Sequence, residues 1–296
     1  MKYGKVKDPT GIDFRIPADD KATRGVLKNV PENRFETYIG CAKWNKNDLK
    51  GFYPKGTKDE LTYYSRQFNS IEMNSVFYNM PKAEQVVKWK NKTPDGFKFF
   101  PKITQSISHM RRLDNVEELT AIYCDAISHF EEKLGICFLQ LHENFGVKGF
   151  DKLKAFVADF PKVIPLAVEV RSPEWFSDKT VWSEYCNFLE KHKTANIIVD
   201  TAGRRDMLHM RLTTSTAFIR FVGCNADEID RKRIDDWVDR IEKWHGEGLR
   251  HLYFFVHQNV EVSSPLLSAY LIEKLNKRLH LHLHVPQMAG EQGQLF

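Results

Sequence analysis

Along this chain, short apolar runs that end in polar residues alternate with longer stretches of helical period. The pattern is sharpest over residues 70–78. There a period of two sets Glu72 and Asn74 on one face of an expected strand and Ile71 and Met73 on the other, so a charge projects from an otherwise apolar element. Comparable runs recur at 37–41, 97–102, 136–141, 165–170, 196–200, 217–222 and 252–257. Between them the periodicity predicts helices over 59–68, 82–92, 116–133, 151–160, 179–193, 231–245 and 265–279, with Asp114-Asn115 as the N-cap of the third. Residues 201–216, with Gly203, Arg204 and Arg205, carry little helical pattern and predict an irregular or missing helix between strands six and seven. This beat predicts an α/β fold, a single (β/α)8 TIM barrel, with a doubly wound sheet as the alternative. Residues 1–36 are polar, hold Gly4, Pro9, Gly11, Pro17 and Pro31, and read as an extension draped on or hanging from a barrel at 37–285; residues 286–296 read as a flexible tail.

Composition adds modest limits. At 296 residues and 42% hydrophobic content the chain has enough material for a large core. A net charge of +5, from 44 basic and 39 acidic side chains, leans toward anionic partners. Five scattered cysteines without a C-x-x-C pair point to neither a disulfide framework nor a zinc ribbon and fit a reducing cytoplasm. No apolar run approaches the ~18 residues of a membrane span, and the N-terminus has no apolar signal core, so a cytoplasmic protein without membrane association is expected.

Strand parity then selects the candidate site. In Leu166-Ala167-Val168-Glu169-Val170-Arg171 the aliphatics face the helices, leaving Glu169 and Arg171 inward. The same count aligns Phe138, Gln140 and His142; Phe218 and Arg220; Tyr253, Phe255 and His257; and Lys98, Phe100 and Lys102, while Asp200 ends the sixth strand. Polar groups late in barrel strands gather at the C-terminal mouth, where such folds place their chemistry. Glu72, Glu169 and Asp200 are the candidate catalytic carboxylates. Asn74, Tyr78, Lys102, His109, Arg112, Gln140, His142, Arg171, Trp175, Arg220 and His257 are the candidate substrate contacts. A purely structural network is the competing reading, with Glu169 neutralised by Arg171 or Arg220.

Several of these residues sit in motifs. Gly40-Cys41-Ala42-Lys43-Trp44 followed by Gly51-Phe52-Tyr53-Pro54 resembles the G-x-x-x-W and G-x-F-Y-P opening of the YecE-like family, a domain-of-unknown-function family, and Glu72-Met73-Asn74 with Phe77-Tyr78 and Pro81 resembles its E-x-N-x-x-F-Y-x-x-P segment. Gln140-Leu141, Glu169-Val170-Arg171 with Trp175, Asp200, and Arg220-Phe221-Val222-Gly223 are similar to its later motifs, so that the likeness runs over roughly residues 37–280. The chain departs from the family pattern at His142-Glu143-Asn144-Phe145, at His257-Gln258 and at Val222. The resemblance implies a TIM barrel and the location of a site. It implies no reaction, because the family has no settled activity.

The chemistry expected of this set is an enzyme on an anionic, phosphate-bearing substrate, hydrolase- or nuclease-like, with Arg171, Arg220 and Lys102 clamping an oxyanion and Glu72 and Glu169 serving as acid and base. A divalent metal held by Glu72, His142, Glu169, Asp200 and His257 is a variant that nearby arginines disfavour. The alternative is a non-catalytic nucleic-acid-binding module linked to DNA repair, stacking bases on loop aromatics such as Trp44, Phe52, Tyr53, Tyr78 and Trp175 beside Arg111 and Arg112. The tail residues Gln292, Leu295 and Phe296 loosely resemble a sliding-clamp docking peptide. His280, His282 and His284 alternate like ligands on a strand or like a solvated helix exit.

Overall fold

In the computed structural model, residues 4–28 and 35–289 are described. The strands are β1 Glu36–Cys41, β2 Ser70–Met73, β3 Lys98–Pro101, β4 Cys137–Gln140, β5 Leu166–Glu169, β6 Ala195–Thr201, β7 Thr216–Gly223 and β8 His251–Gln258. The helices are α1 Lys21–Lys28, α2 Glu60–Gln67, α3 Ser75–Tyr78, α4 Ala83–Asn91, α5 Glu117–Ser128, α6 Phe150–Asp159, α7 Glu174–Ser177, α8 Lys179–Lys191, α9 Asp227–Glu247 and α10 Ser264–Leu279. Asp59 caps α2 by accepting from the Thr62 amide, and Asp178 caps α8 by accepting from the Thr180 and Val181 amides.

All strand pairs are parallel. Six strands form one curled sheet in the order β1-β8-β7-β6-β5-β4, and β2 and β3 form a separate pair. Pairing of the first strand with the last excludes the doubly wound alternative and gives a TIM-barrel-like fold. Between the two sheets, the Asn69 side chain stands in for a ladder, accepting from the Ile39 amide and donating to the Thr37 carbonyl. On the other side, the Ile103 amide donates to the Phe138 carbonyl at 2.8 Å and Gly135 donates to Phe99 at 2.8 Å. Gly40 is required where β1 passes β2, since a Cβ there would overlap the Ser70 carbonyl.

Parity along the strands partitions the core. Residues on one face pack under the helices: on α9, Ile234, Trp237, Val238, Ile241 and Trp244 form a stripe against Ile219, Phe221 and Phe254. Residues on the other face, among them Phe100, Phe138, Ala167, Ile197, Val199, Phe218 and Phe255, form an inner cluster of their own. Each large side chain so buried contributes ~1.5–3 kcal/mol of transfer free energy. This inner cluster is the floor on which the polar groups at the strand ends stand.

Several expectations change. The short strand expected to carry Asn74 beside Glu72 stops at Met73, because the backbone turns to helical angles at Asn74 and continues as α3. The expected helix over 116–133 ends at Ser128; Phe130 stacks on Phe99 at 4.3 Å and Glu131 takes a φ of 50°, which breaks the helix. Its N-cap is Val116 rather than Asp114-Asn115, with no side-chain cap bond. The 280–285 segment faces its leucines inward, Leu281, Leu283 and Val285 packing on the core, while His284 meets Gln67. Among the described residues no helix is long and apolar enough to cross a membrane. Gln292, Leu295 and Phe296 lie outside the described residues.

Between β6 and β7 there is a 3-10 stretch, Ala202–Met207, in place of a regular helix. The N-terminal extension covers this gap. The Gly4 carbonyl accepts from the Gly203 amide, the Phe14 and Arg15 carbonyls accept from Arg205, and Asp19 pairs with Arg240 and Lys243 on α9. In α1 the Thr23 hydroxyl donates to the Met210 carbonyl at 2.8 Å and accepts from the Leu212 amide at 3.0 Å, while Leu27 is buried in the outer core. The sequence shows no period here because only Thr23 and Leu27, one turn apart, are buried in this eight-residue helix.

Candidate functional site

The late positions of five strands, with Lys102 just past the end of β3, bring a buried polar network to one end of the inner cluster. Glu72 on β2 is fully buried and accepts two parallel hydrogen bonds from Arg220 on β7, Nε to Oε2 at 2.8 Å and Nη2 to Oε1 at 2.9 Å. The remaining Arg220 nitrogen, Nη1, donates to Glu169 Oε2 on β5 at 2.6 Å. His257 on β8 lies 2.9 Å from Glu72 Oε2 through Nε2, and Asn74 donates to Glu72 Oε1 at 2.8 Å. Glu169 also receives Gln140 Nε2 of β4, at 3.0 and 3.1 Å, and Arg171 Nε. Lys102 Nζ then donates to Gln140 Oε1 at 2.6 Å and sits 3.8 Å from the centre of the Phe77 ring. One continuous chain of bonds thus links residues 72, 220, 169, 140 and 102.

The electrostatics of the members differ sharply. Burial pushes the Glu169 carboxyl up, but Arg171, Arg220 and the Gln140 amide outweigh it and hold the group down at about 2. Glu72 is likewise penalised by burial, yet Arg220 and His257 hold it well below the usual carboxylate range. Arg220 is itself desolvated, and its two carboxylates more than compensate, raising it further. Lys102 has the opposite balance. Burial and the charges of Arg220 and Arg171 lower its ammonium to about 7, against weaker support from Glu169 and Glu72. His109, desolvated and beside Lys102, falls to about 3 and is a neutral imidazole at pH 7.

Above the network opens a pocket of about 480 Å³. It is bordered by Asn74, Tyr78, Lys102, His109, Gln140, Arg171, Arg220 and His257 from the candidate set. Tyr78 is 65% exposed at the rim, and the His109 ring meets His142 edge to face at 5.2 Å. Three expected site residues do not gather here. On β6 the inward residues are Ala195, Ile197 and Val199, so Asp200 faces outward, bonded to Arg233 at 2.9 Å, to Arg205, and to the Trp237 indole at 2.8 Å. Trp175 is fully buried in the outer core, donating to the Phe145 carbonyl at 2.8 Å. Arg112 is exposed on the loop after the 106–110 helix, at a φ of 50°, and does not border the pocket.

The sequence-derived metal set is therefore dispersed, with Asp200 on the far face of its strand and Arg220 bonded to both Glu72 and Glu169. Among the described residues no group of three or more His, Cys, Asp or Glu side chains is placed to hold a metal ion. The expected base-stacking surface also thins, since Phe52 and Trp175 are buried and Trp44 packs against Trp89. Sequence reasoning missed Ala42, Lys43, Phe77, Gln105 and Glu261, which also border the pocket. Lys43 was within reach of that reasoning: it lies two residues past β1, the strand whose parity was not counted.

Comparison with known proteins bears on the family and the fold. The chain is 28% identical over 280 residues to the UPF0759 protein YecE of Escherichia coli K12, covering 88% of this chain and 99% of that one. It is 28% identical over 153 residues to the UPF0759 protein YunF of Bacillus subtilis 168, covering 47% of this chain and 52% of that one. Crystal structures of DUF72 family proteins from Enterococcus faecalis V583 and Thermotoga maritima MSB8 share the fold, with TM-scores of 0.67 and 0.65, identities of 18% and 23%, and coverage of 85% and 83% of this chain and all of each of theirs. A family model described as "Protein of unknown function DUF72" matches residues 38–290, and the chain belongs to that family.

Proposed function

We propose that this protein is an enzyme acting on a small phosphate-bearing substrate at the C-terminal mouth of an eight-stranded parallel barrel. The barrel reading rests on β1 pairing with β8 and on the side-chain and single-bridge links that join the β2–β3 pair to its neighbours. One observation carries the substrate class. Lys43, Lys102, Arg171 and Arg220 border the pocket with Glu261 as the carboxylate among its lining residues, while Glu72 and Glu169 lie behind Arg220. Arg171 and Arg220 are thus braced from beneath by buried carboxylates at the base of the cavity, with Lys43, held by Asp48, at its edge, an arrangement that binds an oxyanion through charge-assisted bonds without reorganisation.

In this reading Glu72 and Glu169 orient Arg220 and do not exchange protons, because carboxylates held ionised by bidentate partners are weak bases and unavailable acids at pH 7. Lys102 is the group poised near neutrality, which replaces the acid–base pair expected from the sequence. The experiment is a thermal-shift titration with inorganic phosphate and dihydroxyacetone phosphate at low and high salt. A saturable stabilisation that weakens with salt and is lost in Arg171→Met supports the reading. No stabilisation at millimolar concentration by either compound, with the wild-type protein folded, overturns it.

A further inference from the structure

The buried amine of Lys102 has surroundings unlike those of a structural lysine. It is 7% exposed, forms no ion pair among the described residues, and hydrogen-bonds to an amide oxygen, Gln140 Oε1 at 2.6 Å. A phenyl ring covers it on one side at 3.8 Å, and the guanidinium groups of Arg220 and Arg171 add like charge. By contrast Lys133, comparably buried, has two backbone carbonyls, of Lys90 and Thr93, within hydrogen-bond distance of Nζ. A structural ammonium is satisfied in that way, whereas Lys102 faces the cavity. Removal of water and a neighbouring cation are the two devices that turn a lysine into a nucleophile.

We propose that Lys102 forms a covalent imine with an aldehyde or ketone that also carries a phosphate, the phosphate being held by Arg171 and the carbonyl carbon standing over Lys102 Nζ. This rests on the phosphate reading above and narrows it to a carbonyl compound. In the step, the amine lone pair attacks the carbonyl carbon and a C–N bond forms as the C=O π pair moves to oxygen. One amine proton passes to that oxygen, giving a carbinolamine. The nitrogen lone pair then expels the hydroxyl group, which leaves as water with the second amine proton, and a C=N bond remains. The balance is amine plus carbonyl to imine plus water, with no oxidant or reductant. Gln140 Oε1 is placed to hold the amine while its lone pair points at the substrate. A neutral amine at pH 7 is favoured at Lys102 over an exposed lysine by about a thousandfold, given about 7 against 10.5.

The test incubates the full chain with dihydroxyacetone phosphate and sodium cyanoborohydride at pH 7, followed by peptide mapping by mass spectrometry. The expected result is one equivalent of reduced adduct on Lys102, blocked by inorganic phosphate, and absent in a folded Lys102→Arg variant that keeps length and charge. An adduct spread over exposed lysines with Lys102 unmodified, while phosphate still stabilises the protein, overturns the imine and leaves the phosphate reading standing. Trapping of pyruvate at Lys102 in a protein that phosphate neither stabilises nor protects supports the nucleophilic lysine and overturns the phosphate class. Absence of both trapping and phosphate stabilisation overturns both.

Discussion

Substituting Arg220 by Met tests whether the network is organised as described. The guanidinium makes two bonds to Glu72 and one to Glu169, and both carboxylates are at most 1% exposed. Removing it strips the buried Glu72 of its principal counter-charge and leaves Glu169 with Arg171 alone, a change that costs roughly 3–5 kcal/mol when a buried pair is broken. For the network as a whole the carboxyl gives a similar scale: Arg171, Arg220 and Gln140 together hold Glu169 at about 2 against its ordinary 4.5, which corresponds to about 3 kcal/mol at ~1.4 kcal/mol per pH unit. The pH dependence has a defined sign. In the wild type, this depressed carboxylate contributes stability that is present above pH 4.5 and lost as the pH falls toward 2. In the variant, Glu72 keeps only His257 and the Asn74 amide against its burial and its carboxyl rises above its unfolded value, so stability falls as the pH rises from 5 to 7, while Glu169 remains held down by Arg171. Urea unfolding at both pH values is the assay. The variant should lose roughly 3–5 kcal/mol at pH 7 and less at pH 5, and adding Glu72→Gln and Glu169→Gln should recover much of the loss. A variant as stable as wild type at pH 7, with no difference between the two pH values, would refute the reasoning.

Lys102→Met should stabilise the protein in urea at pH 6, because a lysine lowered from 10.5 to about 7 opposes folding fully below pH 7 and progressively less as the pH rises to 10.5. The gain, of order a few kcal/mol less ~1 kcal/mol for the lost Gln140 bond, should shrink by pH 9; equal gains at both values would contradict it. Leu27→Ala should cost roughly 2–5 kcal/mol in the same assay, and no change would show that α1 is not part of the cooperative unit. Asp200→Asn should lower stability by roughly 3 kcal/mol through Arg233 and Trp237 while leaving phosphate affinity intact; a specific loss of affinity would return Asp200 to the site.

The inner face was legible wherever a strand carries bulky aliphatics on one parity and polar or aromatic residues on the other. Phe138 with Gln140, Phe218 with Arg220, and Ala167 with Glu169 all fell out of that count. It failed on β6, where Asn196-Ile197-Ile198-Val199 is apolar on both faces and Asp200 could be read either way. Trp175 lies beyond the end of β5, where strand parity no longer applies and the local helix α7 turns the indole into the core. Asn74 reaches Glu72 by a turn and not by the pleat, so the right neighbour was found for the wrong geometric reason. The extension was opaque because its contacts are with residues about 190–220 positions away, which no local pattern records.

Those distant contacts order events during synthesis. Residues 4–28 leave the ribosome well before Met210, Arg240 and Gly248, against which they settle and which follow roughly two hundred positions later. At ~5–20 residues per second, that is a wait of roughly 10–40 s with Leu27 uncovered. The β6–β7 connection can meet the opening segment as it emerges, through Gly203, Arg205 and Met210, but that segment shuts fully as a clasp only once α9 supplies Arg240 and Lys243.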